Sequence, residues 1–163
     1  MELIDKIVTL EALLTRLEKE RNAAGKIVFT NGCFDIMHVG HVRYLAEARS
    51  RGDMLIVGLN SDASVRSIKG DKRPIIRQEH RAEVLASLAC VDHIVMFDEP
   101  DPLRLIQALK PDILVKGEDW EEDTIIGAQE VRARGGEIAR ITFVEEASTS
   151  GIIQTILERY RGG

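Results

Sequence analysis

Short apolar runs alternate with longer amphipathic stretches from residue 26 onward. The apolar runs are 26–30, 54–60, 93–97, 112–117 and 137–144. Each has the length and the content of Val, Ile and Leu that are typical of a buried strand. The stretches between them predict helices over 39–51, 61–68, 77–91, 102–110, 124–134 and 150–160. Short strands separated by helices favour a doubly wound α/β fold: a mostly parallel five-stranded sheet with helices on both faces.

A separate amphipathic segment precedes this alternation. Leu10, Leu13, Leu14 and Leu17 recur at helical spacing behind Thr9, a possible N-cap, so we predict one helix over 3–20. We therefore divide the chain into an N-terminal helix, residues 1–25, and one α/β domain, residues 26–163. The polar face of the helix carries charges of both signs, which favours packing against the domain or a second subunit over binding to a membrane.

Composition narrows the class of protein. The chain has 163 residues, 44% hydrophobic and 30% charged, which suits one globular domain with a sizeable core. A net charge of -5 disfavours a nucleic-acid partner held by a general basic field. No apolar run is long enough for a membrane span, the N-terminus lacks the order of a signal peptide, and the two cysteines form no CxxC pair. We expect a cytoplasmic protein without a membrane partner.

Polar residues follow several of the predicted strands. In a doubly wound fold ligands bind at the carboxyl ends of the strands. Hydroxyls and unpaired N–H groups at a helix start bind anions, and the loop 69–74, with Arg77 and Arg81 beyond it, adds cations. The strand-end residues are Thr30, Asn31, Gly32, Cys33, Phe34, Asp35, His38 and His41; Asn60, Ser61 and Asp62; Lys116, Gly117, Glu118, Asp119 and Trp120; and Ser148, Thr149 and Ser150. Together they predict a site for a phosphate-bearing ligand.

Each of these features also has a structural interpretation. His38 and His41 could be incidental helix-start residues or two metal ligands, but His80 and His93, the other histidines, are expected at the surface and offer no third ligand. The hydroxyl residues at 148–150 could be only an N-cap, Trp120 a core or interface residue, and the acidic stretch 98–101 a solvated loop. Convergence on one sheet edge favours the ligand site. No GxGxxG or Walker A loop is present.

One segment carries a family resemblance. Residues 32–41, GCFDIMHVGH, resemble the HxGH signature of the nucleotidyltransferase superfamily. Further segments resemble motifs of the adenylyltransferase domain of ADP-heptose synthase, so the resemblance covers roughly 26–157: GDMLIVGLNSDASVRSIKG, RPI, RAEVLASLACVD, PDILVKGEDW and STSGII. The resemblance implies a Rossmann-like nucleotidyltransferase fold. It also implies transfer of the AMP moiety of ATP to D-glycero-β-D-manno-heptose 1-phosphate, giving ADP-heptose and diphosphate by in-line attack on the α-phosphate.

The resemblance also implies partners and a biological setting. Mg²⁺ is expected to accompany ATP, the substrates are small molecules, and a homodimer or other homo-oligomer is expected. Lipopolysaccharide core biosynthesis in a bacterial cytoplasm is the implied setting. Such domains are often fused to a sugar kinase, which this sequence does not show, so we expect a stand-alone version with a possible separate heptose kinase partner. Two alternatives stay open: a cytidylyltransferase using CTP and glycerol 3-phosphate or another polyol phosphate, and a non-catalytic nucleotide-binding module.

Residue roles follow from the same resemblance. His38 and His41 are expected to donate hydrogen bonds to the ATP phosphates, Lys69 to bind the β- and γ-phosphates, and Arg81 to grip the acceptor phosphate or orient its loop. Asp35 is expected to hold its loop or assist a metal ion, although no protein metal site is predicted. Asp62, Arg81 and Trp120 are expected near the acceptor sugar. The expected nucleotide contacts are Thr30, Asn31, Gly32, Cys33, Phe34, Asp35, Gly40, Arg73, Lys116, Gly117, Asp119, Ser148, Thr149 and Ser150.

Overall fold

The fold is built on one parallel sheet. The computed structural model describes residues 2–20, 25–119, 121, 124–142 and 148–161. The strands are β1 (Ile27–Gly32), β2 (Met54–Asn60), β3 (His93–Phe97), β4 (Ile113–Gly117) and β5 (Glu137–Ile141), in the spatial order β3-β2-β1-β4-β5. Every neighbouring pair of these strands is parallel. The predicted doubly wound five-stranded sheet is confirmed. Since β1 lies at its centre, the residues that follow β1 are placed at the middle of the carboxyl edge.

Helices cover both faces of this sheet. They are α1 (Leu10–Glu20), α2 (Val39–Ser50), α3 (Asp62–Lys69), α4 (Gln78–Ala86), α5 (Leu103–Leu109), α6 (Ala128–Ala133) and α7 (Thr149–Tyr160), after a 3-10 turn at Leu3–Lys6. Alternate strand residues point to opposite faces, so Val28 packs with α2 and α4, whereas Phe29 packs with α1, α5 and α6. Within the described ranges no helix is both long enough and apolar enough to cross a lipid bilayer.

The N-terminal segment differs from the prediction. A single helix over 3–20 is wrong, because Ile7 forms a parallel bridge with Ile94 of β3 and Val8 donates its N–H to the Ile94 carbonyl at 3.0 Å. The extended backbone that this pairing needs separates the 3-10 turn from α1. Thr9 caps α1, as predicted, by accepting from the Ala12 N–H at 3.2 Å. Leu13 is fully buried, so α1 packs against the sheet as expected.

Three smaller predictions are also corrected. Helix α4 ends at Ala86, five residues before its predicted end at 91. Helix α6 begins at Ala128 rather than at 124, since Gly127 before it has a left-handed backbone. His93, predicted at the surface, is buried as the first residue of β3.

Candidate active site

A sharp turn joins β1 to α2 at the centre of the carboxyl edge. Gly32 ends β1, and a Cβ added there would lie 2.9 Å from the ring of Phe34, so a larger residue would have to displace that ring. Phe34 itself has a φ of 44°, in the left-handed region that a bulky residue rarely adopts. Strained backbone of this kind is concentrated at functional sites. The turn directs the chain into α2, which begins directly after His38 and carries His41 in its first turn.

The two histidine rings lie against each other. Their centroids are 3.8 Å apart and the ring planes are inclined by 24°, while the edge of Phe34 packs on His41 at 5.2 Å between centroids. The Nδ1 atom of each ring is buried and has no hydrogen-bond partner within the described part of the chain. Burial, with a smaller contribution from the charge of His38, lowers the pKa of His41 to about 4, and burial lowers the pKa of His38. Both imidazoles are therefore neutral near pH 7.

The depressed pKa of His41 predicts how stability depends on pH. The unfolded chain protonates this side chain near its ordinary pKa of 6.5, whereas the folded chain does so near 4. The unfolded state binds more protons between these values, so the free energy of unfolding should fall as the pH drops from 6.5 to 4. Urea titrations at several pH values should show a loss about 1–2 kcal/mol larger in the wild type than in His41→Ala, allowing for solvent screening. Parallel pH profiles for the two proteins would contradict this assignment.

Asp35 connects the β1–α2 turn to the cationic loop. Its carboxylate accepts from the N–H groups of Ile75 and Ile76 at 2.8–2.9 Å and pairs with Nε of Arg73 at 2.5 Å. Burial by itself raises the pKa of Asp35, but donation from Ile76 and Ile75, together with Arg73, outweighs it and holds the pKa below its ordinary value. Of the two expected roles, these contacts support the loop-holding one.

Arg81 is the largest fully buried side chain of the described chain. Its guanidinium donates to the carbonyls of Ile76, Cys33 and Asn60 at 2.9, 2.5 and 2.8 Å, and pairs with Asp62 at 2.7 Å. These acceptors belong to the turn after β1, the end of β2, the start of α3 and the segment that follows the cationic loop. Of the two expected roles for Arg81, the contacts support orientation of the loop over a grip on the acceptor phosphate.

A second polar cluster lies at the end of β4. Lys116 donates through Nζ to the side-chain oxygen of Asn31, and burial lowers the pKa of Lys116 to about 8 although the charge of Asp119 raises it. Below Asn31, the hydroxyls of Thr30 and Tyr44 hydrogen-bond each other at 2.7 Å and contact the Val115 carbonyl at 3.1 and 3.3 Å. Thr30 therefore links β1 to β4 from a fully buried position.

The start of α7 lies beside the β1–α2 turn. Ser148 caps the helix by accepting from the Gly151 N–H at 3.0 Å, and Thr149 contacts the Ile36 carbonyl at 3.4 Å. The N-cap interpretation of Ser148 is thus confirmed. It does not exclude ligand binding, since the positive end of the helix dipole faces the turn that carries the histidines.

A cleft of about 620 Å³ lies among these groups. Fourteen of the predicted site residues line it: Asn31, Gly32, Cys33, Phe34, Asp35, His38, His41, Lys69, Arg73, Lys116, Gly117, Ser148, Thr149 and Ser150. Thr30, Gly40, Asp62, Arg81 and Asp119 do not line the cleft. Trp120 lies outside the described residues.

The structure adds cleft residues that sequence reasoning did not select. They are Tyr44, Ile68, Pro100, Asp101, Pro102, Ile125 and Ile126; Asn60, which also lines the cleft, was already among the strand-end residues. Asp101, predicted to be part of a solvated loop, is half-buried in the cleft wall and accepts from the Leu103 N–H at 2.9 Å. The 100–102 segment follows β3, so the rule that ligands bind at strand ends, applied to that strand too, would have found it.

The carboxylates of the cleft indicate how Mg²⁺ could bind there. The described residues contain no cluster of three or more His, Cys, Asp or Glu side chains that could hold a metal ion. Of the two carboxylates that line the cleft, Asp35 accepts from three donors and Asp101 from one. Mg²⁺ usually keeps several waters and binds through substrate phosphates with one or two carboxylates. The cleft therefore fits an ion that arrives on a triphosphate, with Asp101 as the carboxylate still able to accept.

Comparison with known proteins adds the family context. The sequence profile of the cytidylyltransferase-like family matches residues 29–156. The bifunctional protein HldE of Citrifermentans bemidjiense is 52% identical over 155 residues, which are 95% of this chain and 32% of that protein. The HldE of Syntrophotalea carbinolica is 50% identical over 163 residues, all of this chain and 33% of that protein. The chain thus spans about a third of the length of the curated relatives that it matches.

Solved structures agree on the fold. The lipopolysaccharide core biosynthesis protein of Thermoplasma volcanium has a TM-score of 0.59 and 28% identity, and the match covers 74% of this chain and 97% of that one. Pantothenate synthetase of Thermus thermophilus has a TM-score of 0.58 at 16% identity, with 94% and 72% covered. The second similarity concerns the fold alone.

Proposed function

The chain belongs to the cytidylyltransferase-like family of nucleotidyltransferases, and on that premise we propose that it transfers the AMP moiety of ATP to D-glycero-β-D-manno-heptose 1-phosphate. The products are ADP-heptose and diphosphate. The observation that carries the proposal is the stacked, neutral pair His38 and His41, which lines a cleft together with three cationic side chains: Lys69, Arg73 and Lys116. The names of the HldE relatives and of the lipopolysaccharide core protein support the choice of sugar.

The proposed chemistry is a single displacement. An oxygen of the sugar phosphate attacks the α-phosphorus of ATP, a new P–O bond forms, and the bond to the β-phosphate oxygen breaks as diphosphate leaves. No covalent enzyme intermediate is needed, so the protein contributes positioning and stabilisation of charge. A neutral imidazole donates one N–H. His38 and His41 would each donate it to the phosphate oxygens on which negative charge develops.

The remaining cleft groups divide between the two substrates. Lys69 and Arg73 would bind the triphosphate or the acceptor phosphate, and the start of α7 adds N–H groups and hydroxyls for the same purpose. Lys116, held by Asn31 at the end of β4, would contact the nucleoside. Mg²⁺ bound to the phosphates would neutralise part of their charge.

The proposal extends to organisation and setting. We divide the chain into an N-terminal segment, residues 1–25, and a catalytic domain, residues 26–163. We place the enzyme in the bacterial cytoplasm, because the proposed reaction uses ATP. A homodimer or other homo-oligomer is part of the proposal, since Ile156, Leu157 and Tyr160 of α7 are exposed and would be covered by association. A separate heptose kinase would supply the sugar 1-phosphate, in keeping with the bifunctional relatives.

The proposal is tested by diphosphate release in the presence of Mg²⁺. ATP, CTP and GTP are each paired with heptose 1-phosphate and with glycerol 3-phosphate, and reactions without acceptor serve as controls. Release only with ATP and the heptose is expected. Release with CTP and glycerol 3-phosphate would assign a polyol-phosphate cytidylyltransferase instead. Tight ATP binding without release for any pair would favour a non-catalytic binding module.

A further inference from the structure

Residues 73–76 are fixed against the β1–α2 turn from two sides. On one side, the buried carboxylate of Asp35 accepts from the N–H groups of Ile75 and Ile76 and from Nε of Arg73. On the other side, the guanidinium of Arg81 donates both to the Ile76 carbonyl and to the Cys33 carbonyl. Two independent links therefore join the segment that carries the histidines to the segment that carries Arg73.

Arg73 differs in this respect from Lys69, the other cation of this loop that lines the cleft. Its side chain is only 16% exposed and its Nε is engaged by Asp35, whereas Lys69 is exposed at the end of α3. No described residue accepts from the two terminal nitrogens of Arg73, and the side chain lines the cleft with the histidines. A guanidinium held at Nε keeps four N–H donors in a fixed plane, which suits two-point binding of a phosphate.

We propose that Arg73 is the preset phosphate-binding cation of the cleft and that Asp35 is its positioning residue rather than a magnesium ligand. The proposal rests on the nucleotidyl transfer proposed above and deepens it. The carboxylate of Asp35 is fully buried and occupied by three donors, so a metal ion could bind there only by displacing them. Arg73 loses its orientation when that carboxylate is neutralised, and phosphate binding weakens with it.

The test compares Asp35→Asn, Arg73→Gln and the double variant. We expect each single variant to raise the KM of one phosphate substrate by about 10- to 100-fold, the scale of one charge-assisted interaction. The double variant should be little worse than either, because both changes remove the same contact. The Mg²⁺ concentration for half-maximal rate should not change. A rise in the KM of ATP assigns Arg73 to the triphosphate, and a rise in the KM of heptose 1-phosphate assigns it to the acceptor.

Two outcomes would overturn the proposal. One is a shift of at least about fivefold in the Mg²⁺ requirement of Asp35→Asn with both KM values unchanged, which would indicate a metal ligand. The other is multiplication of the two single effects in the double variant, which would indicate independent roles.

The matched control is Glu99→Gln, which neutralises the carboxylate of an exposed arginine pair, Glu99 with Arg104. Neither KM should change in this variant.

Arg73→Gln keeps the buried carboxylate, so it remains informative if Asp35→Asn folds poorly. Calorimetric binding of ATP and of heptose 1-phosphate separates this inference from the proposed reaction. If the wild type binds both but releases no diphosphate, the reaction fails, while the loss of affinity in Arg73→Gln still tests the phosphate contact.

Discussion

Replacing His41 by alanine should leave the fold intact and lower kcat by about 10²–10³-fold, the scale of losing one preorganised donor. His41 lies in the first turn of α2, and its Nδ1 makes no hydrogen bond within the described chain, so the substitution removes ring packing on Phe34 and His38 but no hydrogen bond of that atom. Alanine also favours the helix. The ring is stacked on His38 in the cleft, where its N–H would stabilise charge only as the reaction proceeds. The initial rate of diphosphate release, measured at saturating concentrations of both substrates, gives kcat.

The control for this variant is His80→Ala. His80 is an exposed histidine of α4 that does not line the cleft, so its kcat should stay within about twofold of wild type. Circular dichroism and thermal unfolding establish that both variants are folded. A folded His41→Ala protein with near-wild-type turnover would remove the histidine pair from the proposed mechanism.

Replacing Arg81 by methionine should lower the free energy of unfolding by about 3–5 kcal/mol, because the carboxylate of Asp62 then loses its buried positive partner. Arg81 has no exposed side-chain area, and Asp62, its ion-pair partner, is itself largely shielded at 24%. Methionine has a similar length but cannot donate to the carbonyls of Cys33 and Asn60. The loss is a large part of the stability of a typical domain. Urea unfolding followed by circular dichroism measures it.

Two further variants show whether the loss of stability in Arg81→Met comes from the buried hydrogen bonds. Arg81→Lys keeps the charge but not the four-acceptor geometry, so its loss should lie between those of wild type and Arg81→Met. Arg51→Met removes an exposed arginine pair with Glu47 and should cost only about 0.5 kcal/mol. If Arg81→Met were as stable as Arg51→Met, the buried network would not hold these segments together.

Much of the candidate site followed from strand ends alone. Asn31, His38, His41 and Lys116 were placed near one another because parallel strands end at a common edge. Asp101 was missed, since an acidic stretch reads as solvated until the end of β3 is brought into the cleft wall. The role of Arg81 could not be predicted either. The sequence does not distinguish an arginine that binds a phosphate from one that is buried against backbone carbonyls, and only the burial of the side chain separates the two.

The sequence by itself determined the strand–helix order, the sheet type and the sheet edge at which the candidate ligand site lies. These depend on local periodicity and on the rule for parallel strands, both of which act over short stretches of chain. The tertiary structure alone decided the break at Ile7, the burial of His93 and the contacts of Asp35 and Arg81. Those depend on contacts such as Asp35 with Ile76 and Arg81 with Cys33, 41 and 48 residues apart in the chain. Hydrogen bonds of that span leave no periodic pattern, so they become visible only when the chain is folded.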